Sequence, residues 1–175
     1  MFIIESDFEY NGYRCVTIFG DLGHRCGYVG VPVGHPLYGK ECDDQIDVLF
    51  SEIEGEPIGK RGVIPLVFAA PSPEEKVRMD LYFNVHGSLT YSGENHPVES
   101  GLWWLGFDCG HAGDRRDLDK VLELWGDNPH IQQRIEIDKQ YPFDEDYPIR
   151  ELDYVQQECR NLVDQIIEYV DKIGG

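Results

Sequence analysis

The C-terminal part of the chain carries its most regular hydrophobic pattern. Between residues 152 and 173 apolar side chains recur every three or four positions, and Glu, Asp, Gln and Arg fill the positions between them. This spacing places the apolar side chains on one face of a helix. Gly174 and Gly175 follow directly, and glycine commonly ends a helix. The pattern predicts a C-terminal amphipathic helix with one buried face.

Shorter runs of β-branched and aromatic residues predict strands earlier in the chain. Asn11 and Gly12 separate residues 8–10 from residues 13–19, and Asn-Gly between such runs is a strong hairpin signal. Residues 26–31 read as a further strand, and Trp103–Asp108 is bulky enough to lie inside a sheet. Together with the C-terminal helix, these strands predict an α+β fold, in which the helix packs on an antiparallel or mixed sheet.

Three other segments are less regular. Residues 79–85 predict a strand that ends at His86. Residues 43–53 have apolar side chains at helical spacing without a clear assignment, and residues 131–137 fit either a strand or the end of a helix. Residues 54–78 are rich in proline and glycine, which predicts an irregular excursion within one domain that spans residues 1–175.

The charge of the chain limits its partners. It has 33 acidic and 15 basic residues and a net charge of −18, so its surface repels nucleic acid. Solubility is the simplest reason for this charge, and an acidic inhibitor that blocks a partner protein by direct contact is an alternative. No run of about 18 apolar residues predicts a membrane span. An acidic start and five scattered cysteines predict a reducing cytoplasm.

The loop after the Trp103–Asp108 segment is a candidate for chemistry. Asp108, His111 and Asp114 are evenly spaced in it, with glycine at positions 110 and 113. Imidazole and carboxylate together suit a divalent metal such as zinc, iron or manganese. The same groups could form a general acid–base pair, in which a carboxylate orients the imidazole. A hydrogen-bonded turn without a function is the third alternative.

A second candidate loop begins at His86. It contains the hydroxyl groups of Ser88, Thr90 and Tyr91, but it lacks the GxSxG pattern of a serine nucleophile. A lining for a polar ligand is therefore the favoured interpretation, and the candidates for catalysis are His86, Asp108, His111 and Asp114.

Two further groups of residues complete the predicted ligand site. Arg115 and Arg116 are rare positive charges that could receive a phosphate or a carboxylate. The third predicted loop contributes His35, Tyr38 and Lys40. We expect this loop to converge with the two others on one pocket, because polar groups at the ends of strands gather where a site needs them.

The motifs in these loops resemble those of an uncharacterised family of small proteins from tailed bacteriophages and prophages. The resemblance covers most of the chain: residues 27–32 (GYVGVP), 34–40 (GHPLYGK), 85–93 (VHGSLTYSG), 103–114 (WWLGFDCGHAGD) and 150–162. Family members commonly have glycine at the position of Ser88 and alanine at the position of Gly110. The resemblance implies a phage origin and a location in the cytoplasm of the infected bacterium. The resemblance implies no enzymatic activity and no catalytic residue.

Two classes of function follow as hypotheses. The first is a phage accessory protein that binds a small polar or nucleotide-like ligand and so sequesters a host defence signal. The second is a hydrolase that uses the histidine and aspartate side chains named above, with or without a metal. The second hypothesis is incomplete, because a nucleophile, a base and oxyanion donors cannot all be named from the sequence.

Overall fold

The structure is a computed structural model that describes residues 1–53, 72–138, 140 and 146–174. Its strands are β1 (Phe2–Tyr10), β2 (Tyr13–Gly20), β3 (Arg25–Val31), β4 (Gln45–Leu49), β5 (Lys76–Arg78), β6 (Tyr91–Gly93) and β7 (Trp103–Asp108). Its α-helices are α1 (Met79–Tyr82), α2 (Leu118–Trp125), α3 (Pro129–Asp138) and α4 (Leu152–Gly174), and a 3-10 turn spans Phe50–Glu52.

The main sheet has five strands in the order β1-β2-β3-β7-β6, and every neighbouring pair is antiparallel. The predicted hairpin joins β1 to β2, with Asn11 and Gly12 both in the left-handed region at φ 48° and 82°. Such angles at both turn positions are typical of a tight two-residue hairpin turn. Trp103–Asp108 pairs on both sides, so its predicted place inside the sheet is confirmed.

Helix α4 packs on one face of this sheet, which confirms the predicted α+β fold. Its apolar stripe meets the side chains of β2, β3 and β7 that face the same way, because alternate strand residues share a face. Gly27 allows the close approach, since a Cβ there would lie 2.7 Å from the Cys159 sulfur. The buried residues on the two sides of this contact include Cys15, Val29, Leu105, Phe107, Val155, Cys159, Leu162 and Ile166.

The predicted strand at residues 79–85 is wrong. Residues 79–82 form helix α1, and the chain then runs on without a strand partner to His86. Side chains of α4 take the place of that partner: Gln165 Oε1 accepts from the main-chain N of Asn84 at 2.7 Å. The side-chain amides of Gln165 and Asn161 donate to its main-chain O at 3.0 Å each. Apolar alternation alone cannot distinguish this arrangement from a strand.

The structure also assigns the two ambiguous segments. Ile46 and Val48 are buried on one side of β4, which pairs with β5 in a separate two-stranded sheet. Residues 131–137 lie in α3, where Ile131 and Ile135 are one turn apart and both buried. Of the predicted excursion at residues 54–78, residues 54–71 lie outside the described residues, and β5 begins at Lys76.

Three segments that carry polar side chains meet at one end of the main sheet. Residues 83–90 lead from α1 to β6, residues 109–117 follow the end of β7, and Arg150 precedes α4. Asp108 at the end of β7 pairs with Cys26 near the start of β3, which marks this end of the sheet. Within the described part of the chain, no helix has the length and apolar character to cross a membrane.

Candidate functional site

A buried pair of His86 and Asp114 lies at this end of the sheet. His86 Nε2 is 2.7 Å from Asp114 Oδ2, and both side chains are largely buried. The two residues come from two different loops, 28 positions apart in the chain. The sequence suggested such a pair within the loop of Asp108, His111 and Asp114, whereas in the structure the imidazole bonded to Asp114 is that of His86 from the other loop.

Asp114 accepts hydrogen bonds from three donors. Besides His86, the Nε of Arg150 donates to Oδ1 at 2.7 Å, and the main-chain N of His111 donates to Oδ2 at 3.1 Å. Burial raises the pKa of Asp114, but the hydrogen bonds from Arg150 and His86 outweigh that effect and leave the pKa below its ordinary value. The carboxyl group is therefore ionised at neutral pH.

The ionised carboxylate sets the proton positions in a chain of three side chains. Because Asp114 can only accept, we assign the proton of His86 to Nε2. His86 Nδ1 then accepts from the hydroxyl of Tyr154, 3.0 Å away. Burial raises the pKa of Tyr154, so the hydroxyl keeps its proton and acts as the donor. Asp114, His86 and Tyr154 thus form a continuous hydrogen-bonded chain.

Further contacts fix the backbone around this chain. Glu158 Oε2 accepts from the main-chain N of His86 at 2.9 Å. The main-chain O of Arg150 accepts from Nη1 of Arg25 at 2.9 Å, and Arg25 is itself buried in an ion pair with Glu5. The segments that carry His86 and Arg150 are therefore attached to the core, and their polar side chains project from rigid supports.

These residues line a pocket of about 340 Å³. The volume lies at the lower end of the range for small-molecule sites, which is roughly 300–1,000 Å³. Three separate segments contribute to its lining, which consists of Val85, His86, Gly87, His111, Ala112, Asp114, Arg150 and Tyr154.

The ring of His111 lies directly against Gly87. A Cβ at residue 87 would come within 1.9 Å of His111 Nε2, and Gly87 adopts a left-handed φ of +67°. Among the residues that the structure describes, His111 Nε2 is buried without a hydrogen-bond partner, and its nearest carboxylate oxygen is Asp108 Oδ1 at 3.5 Å. The rings of His86 and His111 are 5.8 Å apart between centroids. Glycine at position 87 is therefore required for the two imidazoles to line one pocket.

Asp108 belongs to a neighbouring polar group beside the pocket. Its Oδ2 accepts from Thr90 Oγ1 at 2.9 Å, and its Oδ1 accepts from the main-chain N of Gly110 at 3.0 Å. The ring of His24 lies close to Gly110, and burial lowers the pKa of this histidine. These contacts stabilise the loop that presents His111.

The other predicted ligand residues lie outside the pocket lining. Ser88 donates through Oγ to the main-chain O of Asp80 at 2.6 Å and has a left-handed φ of 86°. Tyr91 packs edge-on against Tyr28. Arg116 forms an ion pair with Asp138 at 3.0 Å. Arg115 has its main-chain N bonded to the main-chain O of Pro148.

The expected convergence of all three loops is wrong for His35, Tyr38 and Lys40. Trp103 at the start of β7 donates to the main-chain O of Lys40, whereas the pocket lies beyond the other end of β7. The polar partners of this loop are local to that end of the sheet. His35 pairs with Tyr13, Tyr38 donates to Glu94, and Lys40 donates to the main-chain O of Gln45.

Three residues of the site were not predicted from the sequence: Arg150, Tyr154 and Glu158. Glu158 offered a signal, because it is a glutamate on the apolar stripe of the C-terminal helix, between Val155 and Leu162. A charged residue at such a position is seldom buried unless it is paired. Arg150 and Tyr154 fall within the stretch 150–162 of the family resemblance, but that resemblance assigns them no role, and the partner of Arg150 is 36 positions away.

The metal hypothesis for Asp108, His111 and Asp114 can be compared with the contacts of these side chains. Both oxygens of each aspartate already accept hydrogen bonds from protein groups. Across residues 1–53, 72–138, 140 and 146–174, no three His, Cys, Asp or Glu side chains are grouped as metal ligands.

Comparisons of the chain with family models, curated proteins and solved structures find no significant match. The function is therefore argued from the geometry of the site.

Proposed function

We propose that the protein binds a small polar ligand in the pocket between His86, His111, Arg150 and Tyr154. The observation that carries this proposal is the convergence of four polar side chains from three segments on a 340 Å³ pocket. Pockets with a few convergent polar groups are the usual form of small-molecule sites. The contacts of Asp114 and Glu158 support a preformed site, which needs little rearrangement on binding.

A narrower form of the proposal names the biological setting. The resemblance of the loop motifs to tailed-phage proteins supports an accessory protein that acts in the cytoplasm of an infected bacterium. Its ligand would be a nucleotide-type defence signal of the host, which the protein sequesters. The volume of the pocket suits a single small unit of such a signal rather than a long chain.

A hydrolase is the second candidate, and the Asp114–His86–Tyr154 chain favours it. A carboxylate that orients an imidazole, which in turn bonds a hydroxyl, is the arrangement that general acid–base catalysis uses. Because burial raises the pKa of Tyr154, its hydroxyl stays protonated at neutral pH and is a neutral hydrogen-bonding group rather than a phenolate nucleophile.

Analysis of the molecules released after incubation distinguishes a ligand-binding protein from a hydrolase. The protein is incubated with a panel of nucleotides and cyclic nucleotides, denatured by heat, and the released molecules are analysed by mass spectrometry. We expect a member of the panel to be retained by the native protein and released intact. His86→Gln should weaken its retention, because the imidazole lines the pocket.

The control for this experiment is His35→Gln, since His35 lies at the opposite end of the main sheet. Equal retention by the wild-type protein and His86→Gln would contradict binding in this pocket. Turnover of a panel member that His86→Gln and Tyr154→Phe both abolish would establish the hydrolase instead.

A further inference from the structure

Arg150 is held so that only part of its guanidinium group is engaged. Its Nε donates to Asp114 at 2.7 Å, and its Cζ lies 5.0 Å from the centroid of the Tyr154 ring. Within the described residues its two Nη groups have no hydrogen-bond partner, and the side chain is 28% exposed. A guanidinium remains charged at any physiological pH, and its free edge can bind two oxygens of one anion.

The acidic side chains at the pocket, Asp114 and Glu158, are almost completely buried. Asp114 is 3% exposed and Glu158 6% exposed, whereas His111 is 35% exposed. The oxygens of Asp114 are occupied by the three donors described above. The side chains of Arg150 and His111 are therefore more exposed at the pocket than those of His86 and Asp114.

The net charge of −18 opposes an anionic ligand only at long range. At physiological ionic strength the Debye length is about 8 Å, so most exposed carboxylates are screened from a ligand inside the pocket. A direct, charge-assisted contact with a fixed guanidinium is screened much less.

We infer that the pocket holds its ligand by an oxyanion, a carboxylate or a phosphate, which binds the two Nη groups of Arg150 beside His111. This inference rests on the proposed binding function and specifies its ligand class. It assigns the anion to Arg150, which lines the pocket, rather than to Arg115 or Arg116, which do not.

Titration of the ¹⁵N-labelled protein with inorganic phosphate and with sodium acetate, followed by NMR at constant ionic strength, tests the inference. We expect saturable shifts of the Arg150 Nε–H signal and of the Gly87 and Ala112 amides. Saturation by phosphate alone identifies a phosphate group, and saturation by acetate alone identifies a carboxylate. Arg150→Gln should weaken the affinity about tenfold or more, because it removes a charged two-point contact.

Arg14→Gln is the matched control, since it removes the same charge from an exposed pair with Asp7 on β1 and β2. It should leave both titrations unchanged. Arg150→Lys keeps the charge without the forked donors, and a several-fold weaker affinity is expected for it. This second variant provides the test if Arg150→Gln does not fold. An unchanged affinity in a folded Arg150 variant would overturn the inference.

A neutral ligand tests the proposed binding function independently of the inferred oxyanion. Adenosine and adenosine 5′-monophosphate are titrated in the same way, and we expect only the monophosphate to shift the pocket signals. Shifts with adenosine but with neither phosphate nor acetate would contradict recognition of an oxyanion, while the proposed binding of a small polar ligand would still hold. No shift of any pocket signal with any of the four probes would overturn both.

Discussion

Asp114 is the residue that determines the state of its neighbours. Its ionised carboxylate fixes the proton on His86 Nε2, holds Arg150 through Nε and anchors the loop at His111. A buried charge costs free energy unless it is paired and hydrogen-bonded, and this one is bonded on both oxygens. The substitution of this single carboxylate should therefore disturb both the stability of the domain and its pocket.

Asp114→Asn should lower the free energy of unfolding at pH 7 by about 2–3 kcal/mol, because it removes charge-assisted hydrogen bonds. The folded state lowers the pKa of Asp114. Its contribution is thus fully present above the unfolded value near 4 and disappears as pH falls through the lower folded value. Urea unfolding between pH 7 and pH 3 should show the difference between wild type and variant shrinking on the acid side. Asp43→Asn, at an exposed position, serves as the control, and a difference that is constant over this pH range would contradict the assignment.

Gly87→Ala tests the contact between Gly87 and the ring of His111. The added Cβ would lie 1.9 Å from His111 Nε2, so the ring must move out of the pocket. Gly34→Ala is the matched control, because Gly34 has a similar left-handed φ of +87° with no atom within 4 Å of its Cβ position. Both variants should lose about 1 kcal/mol to backbone strain. Only Gly87→Ala should shift the His111 ring signals in NMR spectra, and equal shifts in both variants would contradict the contact.

The sequence identified part of this site through local spacing. His86, His111 and Asp114 stand in two short motifs, and their residue types alone suggest a polar site. Arg150 and Tyr154 could not be found in this way, because their partners are 36 and 68 positions away along the chain. Contacts of that range depend on how α4 crosses the sheet, and the periodicity of one helix does not specify the crossing.

Among the elements, α4 contributes more than its apolar face. Glu158, Asn161 and Gln165 lie one turn apart along it and bond the main chain of Asn84 and His86. The helix was predicted from its repeat and is confirmed. The hydrogen bonds made by its polar residues were not predicted, because three- and four-residue spacing shows only which side chains share a face. The same contacts hold the main chain of Asn84 and His86 in place although this segment forms no strand.

Gln165→Ala should destabilise the domain and displace His86. It leaves the half-buried main-chain N of Asn84 without its partner, and the loss of such a hydrogen bond costs about 0.5–1.5 kcal/mol. Gln157→Ala is the same substitution at an exposed position of α4 and should change stability by less than about 0.5 kcal/mol. Urea unfolding measures both effects, and equal values would contradict the role assigned to Gln165.

At the scale of the whole molecule, the chain is strongly acidic, whereas Arg150 contributes a positive charge to the pocket lining. The 33 acidic residues outnumber the 15 basic ones, so most carboxylates cannot be paired with a basic side chain. Several basic side chains are already used in ion pairs, among them Arg25 with Glu5 and Arg116 with Asp138. The excess negative charge therefore destabilises the compact state through self-repulsion.

Added salt should therefore stabilise this domain. Raising NaCl from 0.01 to 0.15 M shortens the Debye length from about 30 to about 8 Å, which screens repulsion between distant carboxylates more than the short ion pairs. Because the charge is −18, we expect the repulsive contribution to dominate and Tm to rise by about 2–6 °C. Differential scanning calorimetry at pH 7 measures the change, and KCl at the same ionic strength should reproduce it if screening is the cause. At pH 4.5, near the isoelectric point, the same salt step should have little effect, because the net repulsion has vanished. A lower Tm at pH 7 would mean that attractive ion pairs outweigh the excess charge, contrary to this argument.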